Sequence, residues 1–154
     1  NFFFNFFQLS KIIFNLCLNY SMPVLHLKLT PQTRGINKMT LSNVIRSQNM
    51  TLQSVVINKP GTTFDHDQIY VRLPFISSNQ FHCGQNDKRG FLSFPTLKST
   101  KGIDILNFNL KLDSDHVPET FEAELLDSDM NGITDNTKVS NVNLYFSYET
   151  HSLF

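Results

Sequence analysis

From Met22 onward, short apolar runs alternate with clusters of turn-forming residues, and no window sustains a helical period for three turns. Residues 24–29 place Leu25, Leu27 and Leu29 on one face and His26 and Lys28 on the other. Residues 50–57 make a second run, β-branched toward its end and closed by Lys59-Pro60-Gly61. Across 69–76, Ile69, Val71, Leu73 and Phe75 share a face, and Pro74 marks an edge or a bulge. Residues 90–97 form a shorter run that carries Pro95. Over 105–112, Leu106, Phe108, Leu110 and Leu112 oppose Asn107, Asn109 and Lys111, the pattern of a half-buried strand. Phe121, Ala123 and Leu125 repeat it against Glu122 and Glu124, as do Val142, Leu144, Phe146 and Tyr148 against Asn141, Asn143 and Ser147. These last three runs are expected to share one sheet region, and a short helix is expected around 41–48.

Strands joined by loops, without intervening helices, predict an all-β antiparallel sandwich or barrel and not a parallel α/β sheet. The polar connection 77–89 is long enough to cross between sheets. At 154 residues the chain fits one domain, burying about two-thirds of the surface its unfolded form exposes. The domain is expected to run over 22–154. Residues 1–21 are strongly apolar, but Asn and Gln interrupt the stretch and no small-residue cleavage site precedes Met22. Their Phe, Asn, Ile, Leu, Lys and Tyr content suits A/T-rich codons, so they are expected to be a non-native upstream extension or an apolar arm, with Met22 as the start.

Thirteen basic and thirteen acidic side chains leave no net charge, and apart from Lys88-Arg89 the basic residues are scattered singly. Nucleic-acid binding is therefore not expected, because neutralising phosphates takes a basic excess on one face. Cys17 and Cys83 lie far apart and form no zinc-type ligand pair, so both are read as free thiols. Asn49-Met50-Thr51 fits a glycosylation sequon, which carries meaning only in a secreted chain.

The sharpest chemical motif is Asp127-Ser128-Asp129-Met130-Asn131-Gly132, which opens like a calcium loop. The match then fails: Lys138 stands where a bidentate Glu is needed, and Ile133 falls one position early. A hairpin turn, with Asn131-Gly132 supplying positive φ, is the expectation. Asp65-His66-Asp67 and Asp113-Ser114-Asp115-His116 each pair an imidazole with carboxylates, and each reads equally as a solvated loop. His82 and Cys83 are adjacent, so on an extended chain they point to opposite faces. No nucleophile elbow, P-loop or H-E-x-x-H motif occurs. The chain is therefore not expected to be an enzyme, and neither catalytic, metal nor cofactor-binding residues are assigned. Apolar Leu153 and Phe154 at the chain end hint at docking on a neighbour.

The order of the segments Leu52-Gln-Ser-Val-Val-Ile57, Ile69-Tyr-Val-Arg-Leu-Pro-Phe75, Phe108-Asn-Leu-Lys-Leu112, Phe121-Glu-Ala-Glu-Leu-Leu-Asp127 and Val142-Asn-Leu-Tyr-Phe-Ser-Tyr148 resembles the single-jelly-roll minor capsid or penton proteins of Polinton-like viruses and virophages. The resemblance spans residues 50–148 and implies a single jelly roll of about eight strands located in the virion. It also implies a homopentamer at the icosahedral vertex that contacts the major capsid protein, with no membrane partner. No site residues transfer, because catalytic positions do not define the family. A lectin-like or cytokine-like β-sandwich binding module, secreted or on a surface, is the alternative.

Overall fold

The computed structural model describes residues 23–46, 49–61, 63–77, 90–97 and 101–149. Expectations for 1–21, His82, Cys83, Cys17, Leu153 and Phe154 lie outside the described residues. The connection over 77–89 does not cross between sheets as expected, because the strands at 68–72 and 91–95 that it joins pair side by side in one sheet. The strands are β1 (Val24–Leu29), β2 (Ile36–Thr40), β3 (Asn49–Lys59), β4 (Gln68–Arg72), β5 (Phe91–Pro95), β6 (Gly102–Asp113), β7 (Thr120–Leu126) and β8 (Asn141–Tyr148). A single 3-10 turn, Thr33–Gly35, joins β1 to β2. Among the described residues no helix is long and apolar enough to cross a membrane.

The strands build two four-stranded antiparallel sheets, in the orders β1-β8-β3-β6 and β2-β7-β4-β5. β1 pairs β8, β2 pairs β7, β3 pairs β6 and β4 pairs β5, so the second half of the chain retraces the first. That order agrees with the single jelly roll expected from the sequence. The apolar alternation decides which face turns inward. Leu25, Leu27 and Leu29 of β1, Leu92 and Phe94 of β5, Phe121, Ala123 and Leu125 of β7, and Val142, Leu144 and Phe146 of β8 are all buried. Each large side chain taken fully from water contributes about 1.5–3 kcal/mol, so slipping any strand by one residue would forfeit several such terms. Phe94 meets Phe108 across the sandwich with ring centroids 5.9 Å apart, and Phe75 meets Phe121 edge to face at 5.1 Å.

β3 departs from simple alternation. Its register shifts between Leu52 and Ser54 against both β6 and β8. The irregularity moves the phase by one, so Met50 and Leu52 before it and Val55 and Ile57 after it all face the core.

Three expectations about these elements are corrected. The runs at 105–112, 121–125 and 142–148 do not share a sheet: β6 and β8 flank β3 in one, while β7 lies in the other. No helix forms at 41–46; Ile45 instead bridges Val117 with backbone hydrogen bonds in both directions. The strand at 69–76 ends at Arg72, because the chain turns at Leu73-Pro74-Phe75, where the Ile76 amide donates to the Leu73 carbonyl. β2, for which the sequence offered no reading, carries no apolar alternation, since its inward positions are Asn37 and Met39. Asn37 is buried but satisfied: its oxygen accepts the Thr30 amide at 3.0 Å, and its nitrogen donates to the Thr30 and Gly35 carbonyls.

Candidate functional site

Two features of the described residues carry chemistry or exposed apolar surface. The first lies where the loop between β3 and β4 meets the loop after β7. Thr96, buried at the end of β5, donates its hydroxyl to the His66 carbonyl and its amide to the Asp67 carbonyl, which pins the first loop. The buried Phe64 ring backs the imidazole at 5.2 Å.

Asp127 organises the second loop. Its Oδ1 accepts the amides of Asp129 at 2.9 Å and Asn131 at 3.0 Å, an Asx arrangement that satisfies two loop N–H groups with one oxygen. The Asp127 amide donates to the Asn131 carbonyl, and Leu126 bridges Gly132. This closes a short return, but β8 does not follow it as the second arm of a hairpin, because β8 pairs β1 and β3 in the other sheet. Positive φ falls on Met130, at 65°, and not on Asn131 or Gly132 as the Asn-Gly pair suggested.

The two loops bring together residues from two motifs that are separate in sequence. His66 Nε2 stands 3.6 Å from Asp127 Oδ2, while His66 Nδ1 shares a 2.5 Å hydrogen bond with the Ser128 hydroxyl. One ligand atom from each of His66, Asp127 and Asp129 fits within 4.8 Å of the others. Asp65 and Asp67 stay exposed and outside this group. Asp113, Asp115 and His116 are also exposed, beside an open cleft of about 360 Å³ that Asn49 and Ser114 complete, and they join no comparable group. No single-sequence signal pairs residue 66 with 127, because only the antiparallel pairing of β4 with β7 in one sheet, which sets Tyr70 opposite Leu126, places their loops together.

The second feature is a lateral flank of the sandwich. β6 ends one sheet and β5 the other, and their ends border a cleft of about 360 Å³ lined by 95–97 and 103–106. Ile103 and Ile105 point outward from β6 and are 64% exposed, as is Leu97 just past β5. The inward Leu106, Phe108 and Leu110 are only partly covered. The opposite flank, bounded by β1 and β2, differs in character: Lys28, Arg34, Lys38 and Glu122 edge an open cleft of about 740 Å³. No protein-family model, no curated protein and no solved structure matches the chain.

Proposed function

We propose that the chain is a structural subunit of a viral capsid, a minor capsid or penton protein of the virion. In this reading it closes a ring with its own copies, a pentamer, at the icosahedral vertex and meets the major capsid protein around it. The observation that carries the reading is the twelve-residue edge strand β6, with Ile103 and Ile105 turned to solvent. A long edge strand bearing exposed apolar side chains invites pairing with another chain, and proteins that stay single usually blunt it with charge or bulges. The two flanks also differ, apolar along β5 and β6 and basic along β1 and β2. Cyclic assembly needs such unlike surfaces, one from each neighbour. The strand order and the neutral net charge support the reading too.

Sedimentation of the full chain over a wide concentration range, with negative-stain imaging, tests it. Closed rings of uniform copy number are the expected result. A strictly monomeric chain at the highest concentration overturns the proposal and leaves the binding module as the better reading.

A further inference from the structure

We infer that His66, Asp127 and Asp129 form a binding site for one divalent transition-metal ion of the zinc class. The three side chains come from two loops that the fold holds against each other, and their ligand atoms lie within 4.8 Å of one another. Metal–ligand bonds of roughly 2.0–2.2 Å allow ligand atoms about 3–4 Å apart around one ion, so side-chain adjustment alone closes the site. At 3.6 Å, the His66 Nε2 and Asp127 Oδ2 pair is too long for a hydrogen bond. The two atoms stand at ion-pair distance, and no hydrogen bond between them has to break for an ion to be bound.

The supporting groups are those a metal site needs. Ser128 holds Nδ1 of His66, which turns Nε2 toward the carboxylates. Asp127 has one oxygen engaged by two backbone amides, leaving Oδ2 aimed at His66. Thr96 anchors the His66 backbone from inside the sandwich.

The donor set selects the ion. One imidazole and two carboxylates suit zinc and its neighbours, which take nitrogen and oxygen ligands in small coordination shells. Calcium wants six to eight oxygens. Here an imidazole takes one position, Asp127 Oδ1 is already engaged by amides, and Lys138 occupies the place of the bidentate glutamate. Three protein ligands leave at least one position open to water. The bound ion would fasten the 63–67 loop to the 127–132 loop. The inference does not depend on the capsid reading.

Titration of the full chain with Zn²⁺ against a competing chelator, in a C17S/C83S background that removes thiol binding, tests it, with native mass spectrometry for stoichiometry. One ion per chain is expected, together with a raised melting temperature. His66→Ala should abolish saturable binding, and the milder Asp129→Asn, at an exposed position, should weaken it severely while leaving the metal-free melting temperature unchanged. Ser128→Ala should weaken binding about tenfold, as loss of an outer-shell partner does. Binding no tighter than about 100 μM, well short of what a site with deprotonated ligands in place gives, would overturn the inference. So would an Asp129→Asn protein that binds like its parent, or Ca²⁺ bound as tightly as Zn²⁺.

Discussion

Lys59 is the last residue of β3, and its side chain is fully buried. Its ammonium lies 2.7 Å from Asp104 Oδ2 and donates to the Leu97 carbonyl at 2.6 Å, so one cation joins the ends of β3, β5 and β6. Breaking a buried pair by removing one partner costs about 3–5 kcal/mol, because the other charge is stranded. Asp104 keeps 13% of its side chain exposed and Leu97 still accepts, so Asp104→Ala is expected near the lower end, about 3 kcal/mol in urea unfolding. Adding Lys59→Met should recover most of that loss, since it removes the stranded charge. On the surface, hydrogen bonds from the Thr137 hydroxyl and then from its amide hold the Asp135 carboxyl below the ordinary aspartate range. A depressed carboxyl stabilises the fold above its unfolded value and loses that contribution as pH falls through the folded one. The 135–138 turn should therefore persist into acid and loosen only below the usual aspartate range. The Thr137 amide shift in an NMR titration would follow it, and Thr137→Ala should move the midpoint up.

At the scale of elements, the legible strands were those whose inward positions are all apolar. β1 follows its sequence alternation residue by residue and β7 does so through Leu125, while β8 turns Val142, Leu144 and Phe146 inward as read but also buries Asn143 and Ser147 on its other face. β2 escaped because its inner face is an asparagine whose value lies in hydrogen bonds to Thr30 and Gly35, which no periodicity records. Sheet membership was also illegible, since runs adjacent in sequence look alike whether or not they pair. The Asn131-Gly132 pair misled differently: its glycine is needed for close approach, not for positive φ. Gly132 packs against the 3-10 turn, and a Cβ there would run into the Arg34 carbonyl; a Cβ on Gly35, at φ 72°, would run into the Leu125 carbonyl. These contacts are backbone on backbone and cannot yield by a rotamer change. Gly132→Ala should cost about 3 kcal/mol, the top of the usual overpacking range, in a chemical denaturation series. A loss under about 1 kcal/mol, the mere propensity scale, would mean the turn can move aside.

Across the whole molecule, the order in which the strands pair does two things that no single strand encodes. It brings His66 beside Asp127, and it leaves two unlike flanks. Residues 103 and 105 could be read as outward positions of a half-buried strand, yet their exposure depends on β6 being an edge, which follows from the strand order alone. Because Ile103 and Ile105 contribute little to the core, replacing them separates folding from assembly. An I103K/I105K double variant should keep the unfolding midpoint of the parent within about 0.5 kcal/mol, the usual range for surface changes. It should nevertheless sediment as a monomer at concentrations where the parent forms rings, because inserted lysines on an edge strand oppose pairing with another chain. A control at the opposite end of β6, Lys111→Glu, also exposed, should leave ring formation intact if contact is concentrated on the isoleucines. If the double variant still closes rings of the same size, the β5 and β6 flank is not the interface, and the basic flank at Lys28, Arg34 and Lys38 becomes the surface to mutate next.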